Sequence, residues 1–172
     1  MLGSFPPDRK RWSMDFFYPN FQNDMWRIFG LVFFNNKSHF EIPDKKTFDK
    51  PAIENFLRHK KIALYDTAIS AVRTNDDASD AFLEVTEAID LAATLTALPR
   101  CTAIATTGKK ASEIISSLTG AREPRLGDSV ELHFTNRILR FYRMPSSSRA
   151  YPKPLPEKAI AYAEMFRREG ML

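Results

Sequence analysis

The chain has 172 residues, 44% of them hydrophobic and 27% charged, with a net charge of +4. That make-up is expected of one soluble globular domain, long enough to bury a core without cross-links. The single cysteine, Cys101, excludes a disulfide framework, a four-cysteine cluster and a zinc site on paired cysteines, and fits the reducing cytoplasm.

The amino end reads as the last residues of a strand, Met1 to Ser4, running into a tight loop, Gly3-Ser4-Phe5-Pro6-Pro7. Prolines cannot continue a central strand. A chain that opens on the last residues of a strand has either a stub of a strand or a start upstream of Met1, and the second, a short segment preceding Met1, is expected. Residues 8 to 22 are aromatic and irregular, and Asn23 to Phe34 has apolar residues at helical spacing. Pro51 to His59 reads as a second helix with Pro51 in its first turn. Lys61 to Asp66 reads as a buried strand, and Asp76 to Ser79 as a polar turn.

Asp90 is placed to cap a helix that runs to Leu98. Thr102 to Thr107 reads as a buried strand, with Gly108 as the turn leaving it and Lys109 to Leu118 as a helix. After a loop from Gly120 to Asp128, Val130 to Phe134 and Ile138 to Tyr142 form a hairpin joined by Thr135-Asn136-Arg137. Pro145 to Pro156 is a loop, and Glu157 to Arg168 a closing amphipathic helix. The alternation of strands and helices predicts an α/β fold, with a parallel sheet covered on both faces. Ligands on such sheets bind beyond the carboxyl ends of the strands. Three loops, 3 to 7, 66 to 80 and 143 to 151, are thus expected to line one site.

No stretch of about 18 apolar residues appears, so neither a membrane span nor a membrane partner is expected. No signal-peptide pattern opens the chain. His39, His59 and His133 lack metal-ligand spacing and read as surface or partly buried residues; no metal or other cofactor is expected. Cys101 reads as a small core residue. The carboxyl end is locally basic, with Arg143, Arg149, Lys153, Lys158, Arg167 and Arg168 against Glu157 and Glu164, which suits a polyanion.

Three segments carry chemistry. In the first loop, Gly3 permits close backbone approach, and the N–H groups of Ser4 and Phe5 can meet a planar heterocycle or a developing anion. The second runs from Phe16 to Trp26 and interleaves aromatics, which stack on bases, with amides, which pair with base edges. Here Trp26 reads as core, while Asn23 has two open roles, helix N-cap and catalytic contact. The third, Arg143-Met144-Pro145-Ser146-Ser147-Ser148-Arg149, sets three serines between two arginines and suits a phosphate grip.

Taken together, these segments resemble the uracil-DNA glycosylase superfamily, nearest its mismatch-specific and deoxyinosine branches. The residues that carry the likeness are Leu2-Gly3-Ser4-Phe5-Pro6-Pro7, then Phe17-Tyr18-Pro19-Asn20-Phe21-Gln22-Asn23-Asp24-Met25-Trp26, and the loop Met144 to Ala150; Ile62 to Asp66 and Ala103 to Ala111 fall where the family has its middle strands. The resemblance implies a single domain over residues 1–172, a three-layer α/β/α sandwich around a four-stranded, mainly parallel sheet. It implies a monomeric, cytoplasmic, monofunctional glycosylase of DNA base-excision repair, acting on a flipped deaminated base, uracil or hypoxanthine. Asn23 and Ser4 would be catalytic. Gly3, Phe5, Phe17 and Asp66 would bind the base; Pro145, Ser146, Ser147, Ser148, Arg149 and Arg143 would bind DNA. The first loop departs from the pattern: Ser4 and Phe5 stand where the uracil and mismatch-specific branches have an acid or an amide, and Met144 stands near the position of a family histidine. The deoxyinosine branch also has serine in that loop and relies on the amide that maps to Asn23. A catalytically silent, damage-binding member of the same fold and a small-molecule enzyme on a flavodoxin-like sheet are the competing expectations.

Overall fold

A computed structural model of the chain describes residues 1–73 and 83–172. In chain order the elements are β1 (Leu2–Gly3), α1 (Met25–Phe34), β2 (Glu41–Ile42), β3 (Thr47–Phe48), α2 (Lys50–Lys60), β4 (Tyr65–Asp66), β5 (Ala68–Arg73), β6 (Leu83–Ala88), α3 (Leu91–Ala97), β7 (Ala103–Thr107), α4 (Lys109–Thr119), β8 (Ser129–Phe134), β9 (Arg137–Met144) and α5 (Leu155–Arg168). They fall into two compact units. One comprises Met1–Phe5 and Tyr65–Met144, the other Pro6–Leu64 and Pro145–Leu172.

The first unit holds the main sheet, in the order β4-β1-β7-β9-β8. β1 runs parallel to β4 and β7, β7 runs parallel to β9, and only β8 is antiparallel. The fold is thus mixed α/β on a mainly parallel sheet. It has five strands, where four and a separate hairpin were expected, because the hairpin β8–β9 enters the sheet with β9 as a parallel strand. Its turn is two residues, Thr135 and Asn136, both left-handed at φ 49° and 59°, the geometry that matches strand twist in a tight hairpin. Arg137, expected in the turn, opens β9 instead, and its guanidinium donates to the carbonyls of Leu95 and Cys101.

Side chains from one run of this sheet, Leu2, Ile104, Leu132, Leu139 and Phe141, pack with Leu91 and Leu95 of α3 and Ile115 of α4. Burial of each such side chain is worth about 1.5–3 kcal/mol. Cys101 is half-buried against this cluster. Asp90 caps α3 as expected, its carboxylate accepting from Ala93 N–H at 2.9 Å.

Two expectations fail in this unit. The strand expected over 61–66 shrinks to two residues, and Tyr65 is half exposed at the sheet edge. Lys61 instead ends α2 in the left-handed conformation, and Ile62 N–H is spent on Leu57 O. The loop expected over 66–80 is in part strand β5, paired antiparallel with β6. The alternation of Leu83 and Val85 with Glu84 and Thr86 carried that signal. The turn expected at Asp76–Ser79 lies outside the described residues.

The second unit is built on aromatics. Phe29 and Phe33 of α1 meet Phe56 of α2 and Phe166 of α5 at ring separations of 4.9–5.8 Å. Trp26 is fully buried beside Phe29 and Phe40, the core role expected for it. Asp49 caps α2 through Ala52 N–H, ahead of Pro51 in the first turn. Gly30 is required by a close approach: a Cβ there would lie 2.3 Å from Asn36 O. The chain after α1 therefore folds back against that helix at Asn36 and Lys37. The small hairpin β2–β3 follows. α5 starts two residues earlier than expected, at Leu155, with Pro156 in its first turn.

Candidate functional site

In the first unit, the carboxyl ends of the four parallel strands are Asp66, Gly3, Thr107 and Met144. Gly3 and Asp66 are paired in register. The chain leaving β1 is fixed by its own carbonyls: Gly3 O accepts from Thr67 N–H at 2.8 Å, Ser4 O from Ala68 N–H at 3.1 Å, and Phe5 O from the Arg73 guanidinium at 3.4 Å. Ser4 is buried and Phe5 and Asp66 are half-buried. The first-loop residues and Asp66 are thus brought together at the carboxyl ends of β1 and β4, the end of a parallel sheet beyond which ligands bind.

Arg143 lies on β9 in the same unit. Its guanidinium sits 3.0 Å from Glu123, and its Nε is buried without a hydrogen-bond partner. A phosphate would have to compete there with an internal carboxylate.

The other candidate residues belong to the second unit. The aromatic stretch is held by several polar contacts. Ser13 donates both N–H and hydroxyl to Pro19 O. Arg27 donates to the carbonyls of Phe21 at 2.7 Å and Asn23 at 3.0 Å, its guanidinium packed over the touching Phe21 and Phe48 rings and paired with Glu41. Tyr18 adopts φ 49°, a conformation that costs a bulky residue about 1–3 kcal/mol and persists only where surroundings impose it. Phe16 stacks on buried Trp26, and Phe17 packs edge-on against Phe16. Both rings are half-buried.

Asn23 Oδ1 accepts from Met25 N–H at 2.9 Å, while Asp24, the formal N-cap of α1, makes no side-chain cap bond. Asn23 therefore performs the capping role that the sequence left open. This bond also fixes which end of the amide is oxygen, leaving Nδ2 as a donor.

Asp24 is the residue that joins this stretch to the serine loop. Its N–H donates to Ser147 O at 2.9 Å. Its carboxylate lies 2.9 Å from Lys158 Nζ and 3.6 Å from Arg149 Nε. Lys158 also donates to Ser148 O at 2.8 Å. Tyr162 O–H donates to Pro145 O at 2.9 Å, and burial pushes this phenol well above its ordinary pKa, with Tyr18 adding to the shift. Ser146 and Ser148 close local turns with Ser148 and Ala150 N–H groups. The loop is thus a fixed structure tied at Pro145, Ser147 and Ser148. Asn23, Phe17 and the 145–149 segment belong to one assembly organised by Asp24, Lys158 and Arg27; Lys158, read from the sequence as part of a basic end facing a polyanion, is instead buried and paired with Asp24. The acid–base identity of Asp24 and Lys158 carried no signal, since charged residues at helix starts are ordinarily solvated.

All three histidines are exposed; His39 stacks on Phe34 and His133 pairs with Glu131. Among the described residues, no group of three His, Cys, Asp or Glu could hold a metal, and no helix is long and apolar enough to cross a membrane.

No family model matches the chain, and no curated protein matches it. Among solved structures, it is similar to the solution NMR structure of a Methanosarcina acetivorans protein described as a "putative Uracil DNA glycosylase". The TM-score is 0.61 at 23% sequence identity, over 97% of this chain and 87% of that one. The two chains share a fold.

Proposed function

We propose that the chain is a DNA base-excision glycosylase, hydrolysing the N-glycosidic bond of a deaminated base flipped out of DNA. The observation that supports it most is the seating of the serine loop on the end of the aromatic stretch, Asp24 N–H on Ser147 O at 2.9 Å. Two segments that resemble glycosylase motifs, distant in sequence, are one hydrogen-bonded unit. The shared fold of the Methanosarcina acetivorans protein agrees with this reading.

The roles follow from the bond to be broken. Cleavage builds positive charge on the sugar and negative charge on the departing base, so the enzyme must hold the base anion with donors and place a water beside the sugar. In this reading Gly3, Phe5 and Asp66 face the base edge, and Phe17 stacks on its ring, as a flipped base requires. Ser4 and the Asn23 amide position water or donate to a base carbonyl. An amide and a hydroxyl are poor general bases, so the chemistry rests on leaving-group stabilisation. Pro145, Ser146, Ser147, Ser148 and Arg149 grip the backbone phosphates, with Arg143 joining where it leaves Glu123. No metal is required, and the protein acts as a cytoplasmic monomer. A single 1–172 catalytic domain accounts for all of these roles.

A second reading, a damage-binding protein without catalysis, is favoured by one observation: the Asn23 carbonyl oxygen is already committed to Met25 N–H. Duplexes carrying uracil, hypoxanthine or xanthine, incubated with excess protein and then treated with alkali, decide the matter. Strand breaks at one of these bases are expected. Tight binding with no alkali-labile sites on any of them selects the second reading.

A further inference from the structure

A cleft of about 450 Å³ opens in the second unit beside the serine loop, lined by Asp24, Arg27, Lys37, Glu41, Arg149, Lys153, Pro154 and Leu155. Its carboxylates are already satisfied internally. Glu41 pairs with Arg27, and Asp24 with buried Lys158, whose side chain is 1% exposed. What remains facing the cleft is cationic. Arg149 keeps 55% of its side chain exposed and reaches Asp24 only at 3.6 Å. Lys153 makes a long 3.4 Å contact to Glu157, itself mostly exposed. Lys37 is exposed and has no acidic partner among the described residues.

Counting the charges of this cluster, Arg27, Lys37, Arg149, Lys153 and Lys158 stand against Asp24, Glu41 and Glu157, five against three, an excess of two positive charges. The cleft also contains the first residue of α5, a helix of 14 residues with no side-chain cap bond, so the helix start adds to a positive field that the side chains already provide. Lys37 is no accident of a loose loop. Gly30 admits the Asn36–Lys37 backbone against α1, Asn36 N–H donates to Gly30 O, and Asn36 Oδ1 accepts from Ser38 N–H.

We propose that this cleft is a phosphodiester subsite, holding a backbone phosphate of the bound DNA strand next to the phosphates gripped by Ser146–Arg149. The inference rests on DNA being the partner and names two residues for it, Lys37 and Lys153, that the resemblance does not. Arg27 and Asp24 form the wall; Lys37, Lys153 and Arg149 supply the charge. A dianionic free phosphate has the same chemistry, and the test separates it from DNA.

The test is fluorescence anisotropy on an undamaged duplex across a salt series, for wild type, Lys37→Ala, Lys153→Ala and the double variant, with Lys109→Ala as a control outside the cleft. Each neutralised phosphate contact contributes about 0.9 to the slope of log K against log salt. Because both lysines face one phosphate, the slope is expected to fall by up to about 0.9 in the double variant and by less in each single one, with Lys109→Ala at the wild-type value and melting temperatures unchanged. Lys37→Glu should weaken binding further at low salt. A double variant with the wild-type slope and affinity overturns the proposal. Protection of wild-type protein by millimolar inorganic phosphate, combined with an unchanged duplex slope in the double variant, reassigns the cleft to free phosphate and equally overturns it. The excision reading fails separately: protein that breaks no glycosidic bond yet loses slope in the double variant keeps the cleft and loses the enzyme.

Discussion

Lys158 Nζ lies 2.9 Å from Asp24 Oδ2, with the two side chains 1% and 8% exposed. This pair ties the start of α1 to the first turn of α5, and Lys158 carries the serine loop with it through Ser148 O. Both charges are paired and hydrogen-bonded, the condition under which a buried ion pair is tolerated.

Removing one partner leaves the other charge buried and uncompensated. Asp24→Asn or Lys158→Met is therefore expected to cost about 3–5 kcal/mol. The double variant Asp24→Asn/Lys158→Met should cost clearly less than the sum of the two, because neither charge is then stranded. Urea midpoints of the four proteins read both numbers. Additive losses would show that the pair does not act as one unit.

Arg149 touches the same carboxylate from the solvent side. Arg149→Ala should cost under about 1 kcal/mol of stability, as exposed pairs do. It should nevertheless weaken duplex binding equally for all sequences and lower the salt slope by about 0.9. Full slope in a folded Arg149→Ala protein removes this arginine from the phosphate grip.

The sequence made the local structure legible where one physical signal dominated. The cap at Asp90, the proline start of α2 and the alternation in the hairpin strands each predicted an element that the structure contains. It misled where tertiary pairing decided. Ile62 to Asp66 is apolar enough for a buried strand, but its first residues complete the end of α2 and only Tyr65 and Asp66 reach the ladder. β5 was missed although the alternation of its partner β6 is local, because Ala68 to Arg73 is not itself an apolar run and its pairing decides its form. Among site residues, Asn23 was legible as a cap and a polar contact at once. Asp24, Lys158 and Lys37 were not, because their significance lies in contacts between α1, α5 and the turn after Gly30, which no local pattern encodes.

Tyr162 makes the serine loop's anchor sensitive to alkali. Its folded-state pKa is raised by burial and by Tyr18 above the ordinary value near 10. A raised phenol favours the folded state below the unfolded pKa, and this contribution is lost as pH climbs from about 10 toward the folded value. Tyr162→Phe strands Pro145 O and should cost about 1–3 kcal/mol at pH 7. The gap between wild type and variant should narrow above pH 10, and comparing the two cancels the lysine titrations they share. Urea denaturation at pH 7 and pH 11 measures it. A gap that widens with pH contradicts the assignment of a buried, neutral phenol.

Asn23 is where capping and catalysis can be separated. Its Oδ1 accepts from Met25 N–H, and a carboxylate accepts from the same N–H as well as an amide oxygen does. Asn23→Asp is thus expected to keep the start of α1 and the melting temperature. What it loses is the Nδ2 donor, and it sets a negative charge in its place. If Nδ2 donates to the departing base, single-turnover excision should fall by about 10²–10³-fold, the usual loss for one transition-state donor. If the side chain only positions water, Asp should hold or raise the rate, since a carboxylate is the better base. Asn23→Ala loses both functions. It should lower stability by about 1 kcal/mol through the missing cap and slow excision as far as Asp does in the donor case. Rates under saturating protein, read beside melting temperatures for the three proteins, place Asn23 in one role or the other. A folded Asn23→Ala protein excising at the wild-type rate leaves it a helix cap and nothing more.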